Sequence, residues 1–163
     1  MAIVVSDTSI KNQVAISITH IHIYNNPIIK TLHHTINVTS TEAELFIIRC
    51  GINKATQVVN INHIVVIIDS IYIAKRIFDS SIHPYQVQSS SISKELGKFF
   101  NRNQHNSIKF WDCPSWDKWF LHNIVNKEIK KFDLIPIFPC KSSWKFSRKN
   151  KCNEILNIWK ITF

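Results

Sequence analysis

Hydrophobic positions along this chain change period several times, and each change marks an element. Residues 2–6 (AIVVS) form a short apolar run that closes on Asp7-Thr8-Ser9, which predicts a first strand ending there. Across 13–24 (QVAISITHIHIY), Val14, Ile16, Ile18, Ile21 and Ile23 alternate with polar partners, with a slip of register near His20. Asn25-Asn26-Pro27 reads as a turn, and 28–38 (IIKTLHHTINV) as a third strand. Three β runs joined by short turns predict an antiparallel meander.

The spacing then becomes helical. From Thr41 to Ala55, the residues Leu45, Ile48, Ile52 and Ala55 fall on one stripe, widened by Phe46 and Ile47. Gly51 inside that stripe costs helix stability but would let the helix lie close against a sheet. Residues 63–68 read as a buried strand, 71–78 (IYIAKRIF) as a short helix, and 91–103 (SISKELGKFFNRN) as a helix with Ile92, Leu96, Phe99 and Phe100 to one side. A fifth strand follows at 107–111, then a helix over 117–132 with Trp119, His122, Val125 and Ile129 aligned. The order is βββ-α-β-α-α-β-α, an α/β fold with a mixed five-stranded sheet and helices on both faces. The compact domain is expected to span 1–132. LIPIFP (134–139) leads out of it into a basic, tryptophan-containing extension, 133–163, whose apolar end (Ile155, Ile158, Trp159, Phe163) would pack back on the domain or on a partner.

Composition narrows the classes. With 163 residues, 45% of them hydrophobic, the chain can bury a real core. Apolar runs such as Ile64–Ile68 fall far short of a membrane span. The start MAIVVSD has no basic region and meets Asp7 too early for a secretory signal, so a soluble cytoplasmic or nuclear protein is expected. A start directly before the first strand suggests a piece of a longer polyprotein. Cys50, Cys113, Cys140 and Cys152 lack C-x-x-C spacing, which argues against zinc and disulfides. Gly51 and Gly97 are the only glycines, so P-loops, dinucleotide fingerprints and G-x-S-x-G hydrolases are excluded. The histidines show no metal-ligand spacing; His20, His22, His33 and His34 read as surface or edge residues. Lysine plus arginine outnumber aspartate plus glutamate 20 to 11. That excess favours an anionic partner, nucleic acid first, and it concentrates between Asn126 and Lys151.

Against this basic background, two acids stand at the ends of apolar strands and a third on the helix between them. Asp7 closes the first strand, Asp69 ends HIVVIID, and Glu44 lies on the helix between them. Carboxylates brought together repel one another, and a divalent cation is what usually holds them. Each also has a plain local role open to it. Glu44 follows Thr41 by three residues, as in a capping box. Asp69-Ser70 could cap the next helix, and Asp7 could form an Asx turn. As an ordered set, the metal site is the better reading.

These motifs resemble those of the ribonuclease H family. Ser6-Asp7-Thr8-Ser9 is similar to its T-D-G-S, Ala43-Glu44-Leu45 to its A-E-L, and Asp69-Ser70 to the D-S that precedes a helix. Residues 110–132 (FWDCPSWDKWFLHNIVNKEIKKF) look like the last strand and helix of RNase H domains in fungal retrotransposons and related mobile elements, and 141–163 resembles their basic tail. There are departures. Asn126 stands where the family has its fourth acid, Thr8 replaces a glycine, and Cys113-Pro114-Ser115 replaces a histidine-bearing loop, for which His122 is a weak substitute.

The resemblance implies an RNase H-like fold and metal-dependent endonucleolytic cleavage of the RNA strand of RNA–DNA hybrids. It implies two Mg2+ ions, with Mn2+ the alternative, ligated by Asp7, Glu44 and Asp69. Asn126 would take the fourth catalytic position and slow the reaction. Ser70, Trp116, Lys118, Lys127, Lys130 and Lys131 would contact the nucleic acid, Trp116 by stacking. The implied partners are the hybrid and a reverse transcriptase domain of a longer polyprotein, with the domain itself a monomer and no membrane involved. Two alternatives stay open: a catalytically impaired relic that binds without efficient cleavage, and an integrase-like DNA-processing domain.

Overall fold

The structure, a computed structural model, describes residues 1–11, 14–79, 81, 85–114 and 119–132. The elements follow the expected order: β1 (Ala2–Lys11), β2 (Val14–Ile23), β3 (Ile29–Ile36), α1 (Ser40–Gln57), β4 (His63–Ile68), α2 (Ile71–Phe78), α3 (Gln86–Arg102), β5 (Ser107–Asp112) and α4 (Phe120–Ile129). They build one mixed sheet in the order β3-β2-β1-β4-β5. The first three strands are antiparallel; β4 runs parallel to β1, and β5 parallel to β4.

β1 differs from the sequence expectation. It does not stop at Ser6 but continues through Asp7 to Lys11, paired with β2 from Asp7↔Ile18 to Lys11↔Val14. The apolar run ends where burial on two faces ends. The polar half needs only a neighbour for its backbone, and β2 supplies one. Thr8 Oγ1 and Ser17 Oγ add a cross-strand contact of 3.0 Å. α3 likewise begins at Gln86, ahead of its apolar stripe.

Successive residues of a strand face opposite ways, and the two layers follow from that. Val4 and Val5, both fully buried, open onto different cores. Val4 packs with Leu45, Ile48 and Ile52 of α1 and with Ile73, Ile92 and Phe99 of α2 and α3. Val5 packs with Ile16, Ile18 and Ile67 beneath Val125 and Ile129 of α4. Gly51 has the expected role. A Cβ there would stand 2.6 Å from Val4 Cγ1 and 2.8 Å from Thr19 Oγ1, so its absence lets α1 settle onto the sheet. Beneath it, Thr19 Oγ1 accepts from Ser6 Oγ at 2.8 Å and donates to the Val5 carbonyl at 3.2 Å.

His20 is a second correction. It is not a surface residue but is wholly buried under α4, because it continues the Ile16–Ile18 face of β2. The extension 133–163 lies outside the described residues. No helix among the described residues is long and apolar enough to cross a membrane.

Candidate metal centre

The parallel pairing of β1 with β4 ends at Val5↔Ile67. Asp7 follows two residues on, within β1, and Asp69 follows the last residue of β4. Both acids therefore emerge just past the same end of the parallel β1–β4 pairing. α1 crosses that end on one face of the sheet and carries Glu44 in its second turn, flanked by the buried Ala43 and Leu45. The three carboxylates line one narrow cleft with Ser6, Ile47 and Ile68.

The local roles open to these acids are filled otherwise. The capping box of α1 is Thr39 with Glu42, not Thr41 with Glu44: the Glu42 carboxylate accepts from the Thr39 N–H at 3.0 Å, and Thr39 Oγ1 accepts from the Glu42 N–H at 3.3 Å. Ser70 is the N-cap residue of α2 but makes no side-chain cap bond. Asp7 Oδ1 accepts from the adjacent Thr8 N–H at 2.8 Å inside a continuing strand, so it forms no turn.

Electrostatics mark the cleft as charge-strained. Burial, then Asp69 and Asp7, push the Glu44 carboxyl up to about 7. Asp7 is also raised, chiefly by burial and further by Asp69, while the Thr8 N–H, His122 and Lys130 work against the rise. Among the described residues, no lysine or arginine lies within ion-pair distance of any of the three carboxylates. A partly buried acid cluster with no lysine or arginine partner among the described residues has the donor chemistry for a hard divalent cation.

One further group enters this cluster. His122, in the first turn of α4, is 3% exposed, and its Nε2 has no hydrogen-bond partner. That nitrogen lies 4.0 Å from Asp69 Oδ2. Ligand atoms of Asp7, Asp69 and His122 all lie within 4.8 Å of one another. The periodicity of α4 placed His122 on its inward stripe with Val125 and Ile129. Histidine spacing carried no sign of a site, because its partners come from two distant strands.

The other expected residues are more dispersed. Asn126 lies one turn beyond His122 on α4, partly buried, and its carbonyl accepts from the Lys130 N–H at 3.3 Å. Ser70 adjoins Asp69. Lys127, Lys130 and Lys131 are exposed at the end of α4; Lys127 and Lys131, with Lys30 of β3, border an open groove of about 490 Å³. Trp116 and Lys118 lie outside the described residues. Trp111 is 54% exposed, its ring centroid 5.9 Å from that of Trp119.

No family model and no curated protein matches this sequence. Solved structures do. The chain is similar to the N-terminal RNase H domain of a Mycobacterium tuberculosis protein, with a TM-score of 0.58 and 12% identity, over 71% of this chain and 88% of that one. RNase H1 from Halobacterium salinarum gives a TM-score of 0.57 at 11% identity, over 78% and 98% of the two chains. LC11-RNase H1, solved in complex with an RNA/DNA hybrid, gives 0.56 at 14% identity, over 80% and 98%. At such identities the likeness is one of fold. The chain has an RNase H-like fold: a mixed five-stranded sheet with helices on both faces.

Proposed function

We propose that this domain is an RNA–DNA hybrid ribonuclease that cuts the RNA strand with the help of divalent cations. The observation that carries this reading is that Asp7, Glu44 and Asp69, from β1, α1 and the end of β4, line one cleft, with no lysine or arginine among the described residues paired to them. On this fold, a carboxylate cluster of that kind suits phosphodiester cleavage. A cation bound there would supply a polarised phosphate oxygen and an activated water. The residues' own part is to hold that charge in place: Asp7 is fixed within β1, Asp69 at the end of the neighbouring β4, and Glu44 by the packing of α1 on the sheet. Glu44, raised to about 7, would give up its proton when a cation binds.

Substrate would be held mainly through its backbone. Lys127, Lys130 and Lys131 present positive charge at the end of α4, and Ser70, beside Asp69, would reach a phosphate or 2′-hydroxyl. Such contacts distinguish helix shape and the 2′-hydroxyl rather than sequence. Trp116 and Lys118 are proposed as further nucleic-acid contacts from the sequence resemblance alone. The segment 110–132 and the tail after it suggest origin in a reverse-transcribing element, with a reverse transcriptase domain as former or present neighbour.

Asn126 favours a second reading, in which the domain binds hybrids but cleaves them poorly, because one carboxylate of the family pattern is missing. One assay separates the two. Magnesium- and manganese-dependent cleavage of a labelled hybrid, beside the all-DNA duplex, is expected to cut only the RNA strand of the hybrid. Binding without cleavage by either metal would favour the impaired relic, and cleavage of the DNA duplex would favour an integrase-like activity.

A further inference from the structure

His122 is a buried polar group beside the acid cleft that the proposed chemistry leaves unused. Its ring sits on the inward stripe of α4, 3% exposed, with Nε2 unpaired. Leaving such a nitrogen unsatisfied costs about 1–3 kcal/mol, so an aliphatic residue would serve better if the position only filled space. The nitrogen faces Asp69 across 4.0 Å, too long for a hydrogen bond. It also shares a sphere of 4.8 Å with ligand atoms of Asp7 and Asp69. An octahedral ion with bonds near 2.1 Å separates its ligand atoms by about 3 to 4.2 Å, so a slight closure of these side chains would seat one.

We propose that Asp7, Asp69 and His122 form a mixed carboxylate–imidazole site that selects a first-row transition dication over Mg2+. The proposal rests on reading the acid cleft as a cation site and adds the identity of the ion. Mg2+ takes oxygen ligands and sheds water reluctantly, whereas imidazole nitrogen suits ions that accept partly covalent donation. An imidazole in place of a further carboxylate also lowers the negative charge of the site. That loss weighs most on an ion held by charge alone. Lys130, whose field reaches Asp7, acts in the same direction.

The test uses the full chain, stripped of metal with a chelator and titrated separately with Mg2+, Mn2+ and Co2+. Binding is followed by the rise in Tm, and pulsed electron paramagnetic resonance of the Mn2+ form reads nitrogen ligation directly. The expected result is a 14N coupling on bound Mn2+ that His122→Asn abolishes, and an affinity order Co2+ > Mn2+ > Mg2+. His122→Asp restores an all-oxygen set and should shift the Mn2+ to Mg2+ affinity ratio toward unity, by about tenfold or more. Bound Mn2+ without a 14N coupling in the wild type would overturn the proposal, even if both variants failed to fold. So would a metal preference unchanged in a folded His122→Asp. Magnesium-driven hybrid cleavage with no nitrogen on the Mn2+ form would refute the role of His122 alone. Failure of every ion to bind would refute the cation site as well.

Discussion

His20 Nε2, on β2, lies 3.0 Å from Glu128 Oε2 on α4, and Lys30 Nζ reaches the same carboxylate oxygen from β3 at 2.9 Å. The histidine is fully buried and its approach to Glu128 is poorly angled for a hydrogen bond. Burial lowers the His20 pKa while Glu128 works to raise it. The hydrogen bond from Lys30 is the main cause holding Glu128 below the usual carboxylate range. Glu128 thus ties α4 to two strands and lines the groove beside Lys30 and Lys127 rather than the acid cleft. Glu128→Ala is expected to destabilise the domain by about 1–2 kcal/mol, since His20 loses its polar neighbour. Urea unfolding measures this, and the rise in Tm on adding a divalent cation should be unchanged. A lost cation response would place Glu128 in the metal centre.

Asp69→Asn should raise the Tm of the metal-free protein and abolish both cleavage and cation-dependent stabilisation. Removing one charge relieves repulsion on Glu44 and Asp7, which now raises both their pKa values. The cation's stabilisation works only through its binding to the native state. Melting curves with chelator and with excess cation check both halves.

Glu44 makes the apo protein sensitive to alkali. Its carboxyl rises from 4.5 to about 7 on folding, so the folded state binds the proton more tightly than the unfolded chain. The stabilising effect is complete below about pH 4.5 and is lost as pH rises through about 7. The loss amounts to at most about 3 kcal/mol. Glu44→Gln has no such proton to lose, so the difference in stability between the two proteins should widen in favour of the variant from pH 5 to 8. His20 and other groups titrate in both proteins and cancel. Parallel unfolding curves at the two pH values would contradict the burial of Glu44.

Gly51→Ala should destabilise the domain by about 1–3 kcal/mol despite the better helix propensity of alanine. Its methyl group would meet Val4 Cγ1 at 2.6 Å and Thr19 Oγ1 at 2.8 Å. α1 must then lift from the sheet and carry Glu44 away from Asp7 and Asp69. Cation affinity should fall along with stability. Gly97→Ala, where nothing lies within 4 Å, serves as the control and should be neutral or stabilising.

Replacing Lys127, Lys130 and Lys131 by glutamine should weaken hybrid binding at low salt and flatten its salt dependence. Each phosphate left without its lysine reduces the slope of log affinity against log salt by about 0.7 to 0.9. Fluorescence anisotropy over a salt series gives that slope, and an unchanged value would assign these lysines to solvent.

Much of this protein is written in its periodicities. The run AIVV, the alternation of β2, the stripe of α1 and the aligned Val125 and Ile129 of α4 were enough to order nine elements and to separate strand from helix. They work because each reports which side of its own element avoids water. Gly51 was legible for the same reason: in an apolar helical stripe, a missing side chain means close approach. The placement of Asp7, Glu44 and Asp69 in that order, against so basic a chain, was enough to suggest a shared site. What the pattern could not say is which element each side meets. β1 runs on to Lys11 because β2 offers it backbone partners, and that pairing has no hydrophobic signature. His20 is buried and His122 reaches Asp69 only because α4 lies across the far face of the sheet. Thr39 and Glu42 cap α1 and leave Glu44 to the cleft, a choice of one helical register over another. Periodicity is local, whereas the meeting of a carboxylate from one strand with an imidazole from a helix over a hundred residues away is decided by packing alone.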